Sequence, residues 1–134
     1  PDAATRERLA SVDALSDAQF AMFPGDASPD TARYLRHVDT EEGSSGRILT
    51  CTFYLNDGWN AEEKGGELRL LKPDGKSVRA DLAPVFNRVV AHFSDASVPH
   101  EVRNARAERH AITIWYINQE RHVAYHDSLE DEGQ

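Results

Sequence analysis

Along residues 3–15, AATRERLASVDAL, the apolar positions Leu9, Val12 and Leu15 recur every third residue. That spacing predicts one short amphipathic helix with Asp2 as its N-cap. Beyond it the period changes. AQFAMFPG ends in a Pro-Gly turn, and short runs then predict strands at 31–39, 47–56, 66–72, 77–82, 87–94, 98–103 and 109–118. KPDGK at 72–76 carries hairpin chemistry, since Pro73 presets its φ and Gly75 is free to take a positive one. DGWNAEEKGG at 57–66 is a longer loop closing on two glycines. No internal repeat, low-complexity run or linker interrupts the pattern. One helix followed by many short strands predicts a mainly β fold, a sandwich or jelly roll, as one domain over residues 1–134.

Composition narrows the class. A chain of 134 residues, 40% hydrophobic and 28% charged, suits a globular domain, burying roughly two-thirds of the surface its unfolded form exposes. No apolar run approaches the roughly 20 residues of a membrane helix. No secretory leader is visible, and a chain that starts at Pro1 reads as one trimmed upstream. Cys51 is the only cysteine, which excludes an internal disulfide and fits a reducing compartment: the cytoplasm, or the nucleus in a eukaryote. A net charge of −8 argues against a nucleic-acid surface. Glu130, Asp131 and Glu132 put part of that acidity in what reads as a solvated C-terminal tail. The expected state is a monomer.

The candidate chemistry starts at RHVD, residues 36–39. Side chains alternate across a strand, so His37 and Asp39 share a face and could grip one ion. A His-X-Asp triplet can equally decorate a solvent face by chance. His100, set by Pro99 at the start of a short strand, supplies a third ligand that a jelly roll could bring beside the pair. Two histidines and one carboxylate form the facial triad of non-heme Fe(II) oxygenases, which leaves metal positions open. His92 competes for that role, but its place mid-strand reads as a packed or surface histidine. His110, His122 and His126 have no carboxylate at comparable spacing and read as structural or exposed.

Arg109 opens a strand, RHAITIWYI, that is apolar on both faces, so it reads as interior. A buried guanidinium needs an anion. A protein Asp or Glu would serve, and so would the carboxylate of a ligand held by the planar fork. Tyr54, inward with Thr50 and Thr52, could add a hydroxyl to that anion or simply pack in the core.

RHVD, TCTFYLN, GGELRL, SVPHEV and RHAITIWY together resemble the 2-oxoglutarate- and Fe(II)-dependent prolyl hydroxylases, particularly the branch that modifies hypoxia-inducible factor. The likeness runs over about residues 20–118. It implies a double-stranded β-helix, iron on His37, Asp39 and His100, and 2-oxoglutarate with its distal carboxylate on Arg109 and Tyr54. Arg109 favours this branch, because the collagen-type enzymes carry lysine at the anchor. Thr113 and Leu68 match cofactor-pocket positions, and Trp115 matches the substrate pocket. Phe23 stands where the family has a tyrosine before PG, which removes a hydroxyl near the cofactor. The upstream helices and substrate-gripping loop of such enzymes are largely missing. The implied reaction hydroxylates a prolyl residue in a protein or peptide, consuming molecular oxygen and releasing succinate and CO2, with ascorbate as a candidate reductant. Other readings are a 2-oxoglutarate oxygenase acting on another residue or a small molecule, a cupin-like metalloprotein that uses no keto-acid, and a non-catalytic peptide-binding module.

Overall fold

The computed structural model describes residues 1–25, 32–41 and 45–132. Helix α1 (Ala3–Ala10) starts where expected, with the Asp2 carboxylate accepting from the Thr5 amide at 2.8 Å. It stops at Ser11 rather than reaching residue 15. No residue of α1 is buried, so packing does not prolong the helix. The sheet edge captures the backbone instead: Asp13 N–H donates to Ile117 O at 3.0 Å and Ser16 N–H to Trp115 O at 2.9 Å. Between them Ala14–Leu15 forms a two-residue strand, β1.

The remaining strands are β2 (Gln19–Phe23), β3 (Tyr34–His37), β4 (Arg47–Tyr54), β5 (Leu68–Leu71), β6 (Val78–Leu82), β7 (Val89–Phe93), β8 (His100–Val102) and β9 (Arg109–Ile117). β2 was not expected, because QFAMF is apolar on both sides and shows no clean alternation. It pairs with β9 from Gln19↔Thr113 to Phe23↔Arg109. The strand expected from residue 31 begins at Tyr34 (residue 31 lies outside the described residues) and ends at His37, before Asp39. A short helix, α2 (Ala61–Lys64), occupies the loop before the two glycines. The expected solvated tail is instead helix α3 (Gln119–Glu132). Residues 119–132 contain neither glycine nor proline, and Asn118 Oδ1 accepts from the Arg121 amide at the helix start.

Two antiparallel sheets face each other. One has the order β1-β9-β4-β7, with β2 also paired to β9; the other has the order β3-β8-β5-β6. Their inner faces meet around Tyr54, Leu68, Leu70, Val90, Val98 and Ala111. This is the double-stranded β-helix. The β5–β6 hairpin turns at Gly75, whose φ is 64° and whose amide donates to Lys72 O at 2.9 Å. β9 is interior to its sheet, yet both its faces are not equally covered. Outward, Phe20, Ile112, Phe53 and Val89 line up across four strands, with Phe20 60% and Val89 51% exposed. Among the described residues no helix is long and apolar enough to cross a membrane.

Candidate metal and carboxylate site

Between the sheets lies a cavity of about 270 Å³, bordered by residues from β2, β3, β4, β5, β7, β8 and β9. His37 ends β3 and His100 begins β8, and the two strands pair at that register. Each imidazole is oriented from behind. His37 Nδ1 lies 2.8 Å from Leu35 O, and His100 Nδ1 lies 3.1 Å from Val98 O. A carbonyl oxygen only accepts, so Nδ1 carries a proton, and Nε2 donates to the carboxylate when the ring is protonated and offers a lone pair to a metal when it is neutral. Those Nε2 atoms stand 3.3 and 3.4 Å from Asp39 Oδ1.

Asp39 reaches the same point by another route. It lies past the end of β3, in a bend where the Asp39 and Thr40 amides both donate to Ser94 O at 2.9 Å. Strand alternation therefore does not pair it with His37; the bend does. Its Oδ2 accepts from Thr50 Oγ1 at 2.6 Å and from the Trp115 indole N–H at 3.1 Å, leaving Oδ1 toward the histidines. Burial alone would raise its carboxyl pKa. Hydrogen bonds from His100 and His37, with help from Thr50, outweigh burial and hold it far below the usual range. The donor atoms of His37, Asp39 and His100 all lie within 4.8 Å of one another. Two lone-pair imidazoles and one ionised carboxylate, each fixed by an outer hydrogen bond, fit a divalent first-row metal.

Arg109 lies across the cavity at the start of β9 and is only 3% exposed. Its Nε donates to Gly66 O at 2.8 Å, and it forms no ion pair with any carboxylate among the described residues. None of the described residues supplies its anion. The guanidinium sits 5.1 Å from the Tyr54 ring centre and 5.2 Å from that of Phe23. Burial lowers the Arg109 pKa, with Tyr54 opposing, but a guanidinium stays charged. Burial likewise raises the Tyr54 hydroxyl pKa against the pull of Arg109, so it remains a neutral donor. Gly66 makes room for this arrangement. Its φ is +73°, and a Cβ there would stand 3.1 Å from both Arg109 Cδ and Trp59 Cζ2.

Of the other expected residues, Thr113, Leu68, Trp115 and Phe23 all border this cavity. Thr113 Oγ1 also bonds Thr52 Oγ1 at 3.2 Å. Trp115 does more than line the wall, since it holds the Asp39 carboxylate. Sequence reasoning placed Thr50 inward with Thr52 and Tyr54 but missed its hydrogen bond to Asp39. It also missed Arg47, stacked 3.9 Å over the Trp115 ring at the cavity's edge. His92, expected as a packed or surface histidine, is packed: it is buried against the His100 ring and borders the cavity, outside the ligand trio. The remaining histidines stay apart from it: His110 pairs with Glu108 at 3.1 Å, and His122 bonds Ser45 O and meets the His126 ring edge-on.

Comparison with known proteins adds to this geometry. Residues 18–117 match the family model described as 2OG-Fe(II) oxygenase superfamily. Prolyl hydroxylase EGLN3 of Rattus norvegicus is 44% identical over 105 residues, which cover 78% of this chain and 41% of that protein. Egl nine homolog 1 of Homo sapiens is 42% identical over 107 residues, covering 80% of this chain and 24% of that protein. The chain thus spans less than half the length of these relatives. Among solved structures, a prolyl hydroxylase from Trichoplax adhaerens, in complex with a hypoxia inducible factor oxygen degradation domain peptide, superposes with a TM-score of 0.73 at 33% identity. That match covers 84% of this chain and 48% of the other. A Pseudomonas putida prolyl-4-hydroxylase gives a TM-score of 0.68 at 32% identity, covering 86% of this chain and 63% of the other.

Proposed function

Because the chain belongs to the 2OG-Fe(II) oxygenase superfamily, we propose that it is an Fe(II)- and 2-oxoglutarate-dependent dioxygenase that hydroxylates a prolyl residue in a protein or peptide. One observation carries the reading: a metal-ligand trio and a buried arginine that pairs with no carboxylate among the described residues face the same cavity. Bound together, the metal and the keto-acid supply oxidative decarboxylation, in which oxygen is shared between succinate and the new hydroxyl group.

The chain's own share is holding, orienting and shielding. His37, Asp39 and His100 hold the metal. Thr50 and Trp115 keep the second oxygen of Asp39 occupied, so the carboxylate binds through the first. Arg109 clamps the distal carboxylate of the keto-acid, and Tyr54 adds a hydroxyl. Thr113 and Leu68 border the keto-acid, while Leu68 and Val102 exclude water. Trp115 and Phe23 form the wall that a proline ring meets. Prolyl substrates are inferred from the relatives, which are named prolyl hydroxylases at 32–44% identity. We further infer a cytoplasmic monomer that uses ascorbate as reductant and engages neither nucleic acid nor membrane. The lone, buried Cys51 and the charge of −8 support that setting.

The test is direct. Proline-containing peptides are incubated with the chain, Fe(II), 2-oxoglutarate, ascorbate and oxygen, and their intact mass is read. A gain of one oxygen atom, absent when the target proline is alanine, is the expected result. Keto-acid turnover that accompanies oxidation of a different residue would redirect the assignment. Absence of both turnover and metal binding would overturn it.

A further inference from the structure

His92 lies outside the ligand trio yet is built into the same wall. β7 sets it directly opposite Thr50, the residue that holds Asp39, so its side chain points between the sheets. It is 7% exposed, and its ring stands 4.5 Å from the His100 ring, tilted by 57°. Its Nδ1 lies 2.8 Å from Phe93 O, which requires the proton there and leaves Nε2 as an acceptor. His37 and His100 are held in the same tautomer by the same kind of contact. His92 Nε2 has no hydrogen-bond partner among the described residues. It is also not enclosed: among the described residues the sealed side-chain atoms that lack a partner are Arg47 Nε and Asn104 Oδ1. Nε2 therefore opens on the cavity that His92 borders.

A buried polar side chain is costly unless its groups are satisfied, and a phenyl ring or leucine would fill this position without that cost. A lone-pair acceptor beside a metal site suits a ligand that can donate, and a metal-bound water is a stronger donor than bulk water. We propose that His92 is a positioning residue of the metal centre, accepting a hydrogen bond from a water on the metal's open face. The proposal rests on the metal-dependent reading above. The ring packing on His100 is the competing role, since it would orient the ligand without any hydrogen bond.

Cobalt(II), whose visible absorption reports its ligand field, is the probe. It is titrated into the wild-type chain, His92→Phe and His92→Gln without 2-oxoglutarate, after melting curves of the metal-free proteins establish that each is folded. If His92→Phe does not fold, His92→Leu takes its place. His92→Phe is expected to bind cobalt about tenfold more weakly, with an altered spectrum, in the range of other lost outer-shell partners. His92→Gln, which can accept near the same point, should recover most of both. Equal affinity and spectrum in His92→Phe and wild type would overturn the proposal. So would a His92→Gln protein that behaves like His92→Phe, because ring packing would then be the whole effect. Failure of the wild type to bind cobalt would instead overturn the metal-dependent reading, and this proposal with it.

Discussion

Arg109 is the residue on which the keto-acid assignment turns. It is charged and buried, its Nε donates to Gly66 O, and no carboxylate among the described residues pairs with it, so the guanidinium is available to a ligand carboxylate. A charge-assisted hydrogen bond contributes about 1.5–3 kcal/mol. Arg109→Ala should therefore weaken 2-oxoglutarate binding by far more than tenfold in calorimetry with Mn(II) in the metal site. Arg109→Lys should restore only part, since an ammonium lacks the planar fork. Unchanged affinity in Arg109→Ala would remove the clamp from the site. Phe23 tests the same wall, where it pairs with Arg109 across β2 and β9. A hydroxyl gained there should add one neutral hydrogen bond, about 0.5–1.5 kcal/mol, and tighten keto-acid binding a few-fold in Phe23→Tyr. Weaker binding with a lower melting temperature would make Phe23 a packing residue only. At this scale the residue types His37, Asp39, His100 and Arg109 were legible, but the spacing argument failed at Asp39, which joins the cluster through a bend and not by strand alternation. His92 was not legible: its position on a strand is visible, but that its ring meets His100 depends on how β7 and β8 face each other.

At the scale of elements, the long strands and the β5–β6 hairpin were readable because turn residues marked their ends. Asp74 in that hairpin accepts from the Ser77 hydroxyl at 2.5 Å and from the Lys76 and Ser77 amides at 2.8 Å. Led by the Ser77 hydroxyl bond, these contacts lower its pKa to about 2, against 3.8 ordinarily. A carboxylate whose folded pKa is depressed stabilises the fold above its unfolded pKa, and the benefit is lost as pH falls through the folded value. The melting-temperature gap between wild type and Asp74→Asn should thus be constant above about pH 5 and shrink as pH approaches about 2. A gap independent of pH would show that the turn does not depend on that charge. Helix α1, strand β2 and helix α3 were read less well. Leu9, Val12 and Leu15 have helical spacing, but only Leu9 lies in α1, no residue of that helix is buried, and sheet hydrogen bonds took the segment after Ser11. QFAMF looked featureless because one of its faces serves the cavity while the other is exposed. The acidic run at the C-terminus drew attention away from an uninterrupted helical stretch.

Across the whole molecule, the two sheets divide the work. The smaller sheet carries His37 and His100, the larger carries Thr50, His92, Arg109 and Trp115, and Asp39 bridges them through its contacts to Thr50 and Trp115. Metal and keto-acid binding should therefore be coupled, since one cavity presents both sets of groups. The most direct measurement is a calorimetric titration of 2-oxoglutarate into the chain with and without Mn(II), repeated with Asp39→Ala. Binding that appears only with the metal, and is lost in Asp39→Ala, is the expected result. Binding of equal strength without metal, or undiminished in Asp39→Ala, would contradict a shared metal and keto-acid site.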